Sequence, residues 1–293
     1  MPVCSAGRWI RNDRNERQVP RLSGGRGAAR GFLAFFQWLA NGHAVGTSWW
    51  RHPLAANGHR KVLVTDLSAF LAAGFFLVAS HAIGSASAVR GVLIARLTRP
   101  GFIALHSGIS IVALAAFLWT YGRLPTGPWL FDPIDAGPTV AVWVMPFVLF
   151  LVVGRLTTRP PVSEAEATGI YRISRYPGSV GVLLWAYLHL MNMGDLKRTL
   201  LFAFLLAIPL AAILRNEVSR RNLARAIEAT GDDQGADDDA PSQTRIIPFH
   251  AILSGRQKLV WSEIGWWRVA LSLAFYAVLL ALHPLVIGVD PIG

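Results

Sequence analysis

VLVTDLSAFLAAGFFLVASHAIG, at residues 62–84, decides the fold. Its only charged residue is Asp66, near the start. A bilayer offers the backbone no water, so a stretch this apolar must bond to itself as a helix, and ~20 residues of helix cross the hydrocarbon core. Five further stretches read the same way, at 101–121, 139–154, 178–192, 200–214 and 268–288. Those at 178–192 and 200–214 are short and are expected to reach into the interface or cross a thinned region. Composition agrees. Of the 293 residues, 53% are hydrophobic and only 15% are charged, with a mean hydropathy of +0.41. That excludes a disordered chain and disfavours an ordinary soluble domain. The single Cys, Cys4, excludes a disulfide framework and any Cys-ligated metal cluster. The expected fold is an all-α polytopic membrane bundle of about six transmembrane helices.

Charge divides the chain. Residues 1–61 hold ten of the 28 Lys and Arg but two of the 17 acids. The net charge of +11 therefore belongs mostly to this tail, and the membrane part, 62–293, gives no case for nucleic-acid binding. Between the spans, bases concentrate in alternate loops: Arg90, Arg96 and Arg99; then Arg155, Arg159, Arg172 and Arg175; then Arg215 through Lys258. The positive-inside rule puts these loops in the cytoplasm and the chain in the cytoplasmic membrane. The basic tail conflicts with that topology. Either 31–50 is a seventh span, or 1–61 is an extension that precedes the true start of the membrane domain. The acidic run at 231–243 lacks the alternating ligands of a calcium loop and reads as a solvated linker.

Ionisable residues inside a membrane are the best pointers to function. Four His fall in the spans: His81, His106, His189 and His283. Any one of them could simply bond a carbonyl near a helix end. Four in one small bundle point to a His-ligated cofactor, and haem is the obvious candidate because neutral imidazole is a standard axial ligand. Span direction sorts the candidates into two layers. His81, His106 and Tyr176 share the cytoplasmic one, and His189 and His283 share the other. His81 and His189 should differ in height by ~15 Å at 1.5 Å per residue. Residues 168–189, TGIYRISRYPGSVGVLLWAYLH, carry a basic turn into an apolar helix. Pro177 suits the first helical turn. Arg172 and Arg175 could hold an anion there, a propionate or a phosphate.

This segment resembles the membrane family of NnrU proteins and 15-cis-zeta-carotene isomerases, which carry a similar G-x-Y-R-x-x-R-H-P turn followed by W-x-x-x-H. Three more pieces agree: Ser80-His81 with the basic VRGVLIARLTR that follows, the P-F-x-A-I-x-x-G-R-Q pattern at 248–257, and the H-P-x-V-I-G-V-x-P ending from His283. The resemblance runs from about Val64 to Gly293. It implies a multi-pass fold binding haem b, with His81 and His189 as iron ligands and His283 as the matching C-terminal His. It also implies a role in nitrogen-oxide (denitrification) metabolism or in haem-dependent cis-trans isomerisation of a carotenoid-like polyene. One position departs. Tyr176 stands where the family usually has His, which puts isomerase activity in doubt. Span two has His106 where a Tyr is common, so these two side chains are expected to touch. His106, Tyr176 and His283 remain alternative ligands.

The same turn also resembles isoprenylcysteine methyltransferase-type membrane enzymes, where it belongs to an S-adenosylmethionine site. Arg215-Asn216-Glu217 loosely echoes their later acidic motif. A non-enzymatic membrane assembly factor, with structural His, is the third reading.

Overall fold

The computed structural model describes residues 56–84, 86–161, 167–230 and 244–292. The tail with its possible span at 31–50 and the acidic run at 231–243 lie outside them. The elements in chain order are α1 (Ala56–Gly84), α2 (Ser87–Arg123), α3 (Gly137–Thr157), α4 (Ile170–Ile173), α5 (Pro177–Met191), α6 (Leu196–Thr230), α7 (His250–Leu253), α8 (Trp261–Ile264) and α9 (Trp266–Val286). Five of them are long and apolar enough to cross a membrane: α1, α2, α3, α6 and α9. α5, at 15 residues, is apolar but shorter than these five. The chain is therefore a multi-pass membrane protein with an all-α fold.

The helices pack mainly as a row, in the order α2, α1, α6, α5, α3, α9. Each inner contact is made by a stripe at helical spacing. On α1 the stripe is Phe70, Gly74 and Leu77, continuing to His81 and Gly84. On α2 it is Phe102, His106, Ala113 and Phe117. Phe70 and Phe117 stack with ring centroids 4.8 Å apart, and Phe204 of α6 meets both rings edge-on. The remaining faces of α2 and α9, at the two ends of the row, are apolar and exposed, as lipid contact requires.

Three boundaries differ from the hydropathy reading. The Arg90–Arg99 stretch is helical, and a break at Thr98 (φ 65°, ψ 167°) separates it from the span. Pro100 explains the break, because its ring and missing N–H interrupt the preceding turn. α6 runs far past the expected 200–214. Hydropathy marks only its apolar middle, while Arg- and Glu-rich sequence goes on making helix, with Arg220 on Glu217 one turn back at 3.1 Å. At its start Asp195 is the N-cap, its Oδ1 accepting the Arg198 N–H at 3.1 Å. Pro177 does open α5, as expected.

The loop connections separate two faces. On the Arg-poor side the α2–α3 loop pairs with the α5–α6 loop, through Leu130 N–H to the Gly194 carbonyl (2.7 Å) and Leu196 N–H to the Pro128 carbonyl (3.0 Å). On the Arg-rich side the turn at 167–177 receives the segment 244–264.

Candidate functional site

The Arg-rich face is held by two guanidinium clamps, and both use the basic turn. Arg172 grips Glu263 with two nitrogens, Nε–Oε2 at 2.7 Å and Nη2–Oε1 at 2.9 Å. Its Nη1 donates to Gln257 Oε1 at 2.8 Å. Gly169, at φ +56°, donates its N–H to the same carboxylate. Arg175 donates to Glu217 Oε1 at 2.7 Å and to Thr244 Oγ1 at 3.0 Å. The Tyr176 hydroxyl joins this carboxylate at 3.0 Å. Burial, and then the Glu217 charge, push the Tyr176 phenol up to about 12, so it stays protonated and donates. Both guanidiniums are thus balanced by protein carboxylates, and the anion expected beside them is Glu263 and Glu217. The sequence reading missed Glu263, although a lone acid between Trp261 and Trp266 was the available signal.

The clamp makes a pH prediction. The Arg172 hydrogen bond holds the Glu263 carboxyl below its ordinary value of 4.5. A carboxyl depressed on folding adds stability that is present above that value and lost as pH falls through the folded pKa. Acidification through that lowered folded pKa is expected to release the 244–264 segment. Limited proteolysis from neutral into acid pH checks it: cleavage near Lys258 should rise on the acid side, and Glu263→Gln should weaken the pH dependence, leaving what Glu217 contributes through Arg175 and Thr244.

The four intramembrane His fall into the two expected layers. On the Arg-rich side, His81 and His106 have ring centroids 5.9 Å apart at 71°. His106 also stacks on Phe102 at 5.9 Å and 8°. On the other side, His189 stacks on Phe202 at 4.7 Å and lies 4.8 Å from the Trp185 ring. His283 continues the inner stripe of α9. Three of the rings hold Nδ1 to a backbone carbonyl: His81 to Leu77 at 2.9 Å, His189 to Trp185 at 2.8 Å, and His283 to Val289 at 2.7 Å. A carbonyl only accepts, so in the neutral ring the proton sits on Nδ1. Nε2 is then the nitrogen a metal would take, as in metal-bound imidazoles whose other nitrogen donates to a carbonyl.

Heights follow from α6, which runs parallel to α1. Phe204 of α6 lies against Gly74, where an added Cβ would come within 2.6 Å of its ring. Arg215 donates to the Ala82 carbonyl at 3.0 Å, beside His81. His189 meets α6 at Phe202, thirteen residues before Arg215, which is roughly 20 Å at ~1.5 Å per residue. The two ligands implied by the resemblance, His81 and His189, are therefore in different layers and are not brought to one point. Tyr176 engages Glu217, while His106 engages His81 and Phe102.

The donor set bears on the type of metal. Among the described residues, no group of three or more His, Cys, Asp or Glu stands together. A bare ion generally draws three or four ligands from the protein. Haem brings four of its own and takes one or two from the chain. Paired imidazoles in an apolar bundle fit that requirement.

The family model described as NnrU protein matches residues 69–291. No curated protein and no solved structure matches the chain.

Proposed function

Because the chain belongs to the NnrU family, we propose that this membrane protein binds haem b between its helices and serves nitrogen-oxide metabolism at the cytoplasmic membrane. The observation that carries the proposal is the set of intramembrane imidazoles whose Nδ1 is fixed to a backbone carbonyl. When bound, haem would supply redox and ligand-binding chemistry at its iron. The chain's own contribution is to hold imidazoles in the right tautomer and to keep water from the iron behind apolar walls. Isomerisation of a hydrophobic polyene entering from the bilayer is the second role the family suggests. It is disfavoured here, because the residue at the turn is a phenol already committed to Glu217.

A methyltransferase reading retains one supporting observation: Arg175 of the basic turn does meet Glu217 of the acidic motif at 2.7 Å. Calorimetric titration with S-adenosylmethionine tests it directly.

For the haem reading, His81→Ala is expected to lose most of the haem from protein purified from haem-supplied cells. His250→Ala, on the exposed face of the 244–264 segment, should keep it. Haem content by pyridine haemochrome decides, and equal retention in both variants would sink the ligand role of His81.

A further inference from the structure

α2 is longer than a bilayer is thick. Its 37 residues make a rod of roughly 55 Å at ~1.5 Å per residue, against a hydrocarbon core of ~30 Å. Residues 100–123 are enough to cross by themselves. The surplus, residues 87–99, lies at the Arg-rich end and is set off by the break at Thr98. We infer that this segment lies along the Arg-rich surface of the bilayer and binds the phosphates of acidic phospholipids through Arg90, Arg96 and Arg99.

The backbone is the first reason. Thr98, at φ 65° and ψ 167°, takes a conformation usually left to glycine. Pro100 permits the break, but Thr98, Arg99 and Pro100 are all exposed, so the protein core does not demand it. A helix that turns from crossing the membrane to lying on it does demand it, and the turn keeps three guanidiniums out of hydrocarbon.

Charge is the second reason. Between Asp66 and Asp132 the chain has no acid. The three arginines are exposed, and among the described residues none of their guanidiniums has a hydrogen bond or an ion pair. The clamps differ: there Arg172 meets Glu263, while Arg175 and Arg220 meet Glu217. The counter-charge for the segment has to come from outside α1 and α2, and lipid phosphates stand at this height. The side chains between the bases are the third reason. Val89, Val92 and Leu97 are exposed as well. Apolar residues interleaved with arginines suit the boundary of headgroups and acyl chains. There the arginine stems lie in the apolar layer and their heads reach the phosphates.

This inference does not depend on the haem reading. The full-length protein and its triple variant Arg90→Gln/Arg96→Gln/Arg99→Gln are purified in neutral detergent. Each is titrated with phosphatidylglycerol and with phosphatidylcholine, and bound lipid is counted by native mass spectrometry. The wild type should prefer phosphatidylglycerol, and less so as salt rises. The triple variant should bind phosphatidylglycerol at least ~10-fold more weakly, with phosphatidylcholine binding unchanged. A triple variant that binds phosphatidylglycerol as tightly as the wild type would overturn the assignment. So would inorganic phosphate that displaces phosphatidylglycerol at equal concentration, because the site would then be one for soluble anions. A second measurement leaves the arginines in place. In a Cys4→Ser background, a spin label on Val92→Cys is read in vesicles of phosphatidylcholine and phosphatidylglycerol in equal parts. Its relative accessibility to oxygen and to a nickel chelate should place it at the interface. A label as open to the chelate as one in bulk water would stand the segment off the membrane and overturn the proposal.

Discussion

Replacing Arg175 with alanine is expected to destabilise the folded protein by about 3 kcal/mol, the cost of removing one partner from a buried ion pair. The Arg175 and Glu217 side chains are only 10% and 12% exposed. Without the guanidinium, Glu217 keeps the Tyr176 hydroxyl and Arg220, whose side chain is 41% exposed. The contact between the basic turn and Thr244 is lost as well. Lysine would restore the charge but not the fork that spans Glu217 and Thr244, so Arg175→Lys should lose about half as much. Thermal unfolding in detergent, followed by circular dichroism, measures both. An Arg175→Ala protein that melts with the wild type would show that the turn is held by other contacts.

Leucine at Gly181 is expected to cost about 3 kcal/mol or more, because it overpacks a helix crossing that has no room to give. A Cβ there would stand 2.8 Å from Val152 Cγ2 and 3.1 Å from the Val148 carbonyl oxygen. The second contact is with backbone, which cannot swing aside. Small residues at such crossings let membrane helices approach, and here the approach joins α3 to α5. Gly108 provides the control, since nothing lies within 4 Å of a Cβ added there. Gly108→Ala should be neutral or raise stability by about 0.5 kcal/mol, by relieving the entropy cost of glycine in a helix. The same unfolding measurement reads the opposite signs.

Hydropathy made the fold legible, because lipid imposes one requirement on every span. It placed the apolar centres well and the ends poorly. The Arg90–Arg99 stretch is helical by local propensity, and the charged end of α6 also by the i,i+3 pair of Glu217 and Arg220, neither of which a hydropathy run can register. The two His layers were legible too, since alternating span direction fixes which helix ends share a face. Contacts between distant segments were not. Glu263 lies 91 residues from Arg172 and Glu217 lies 42 from Arg175, so their pairing depends on how the loops return to the turn. The nearness of His81 and His106 depends on Gly84, whose missing side chain has meaning only once α2 is laid against it.

A dithionite-reduced minus oxidised absorption spectrum of the detergent-purified, full-length wild type tests the central claim most directly. The protein should come from cells supplied with haem. The account predicts a Soret band that sharpens on reduction and resolved visible bands of the b type. A colourless, iron-free protein would contradict it.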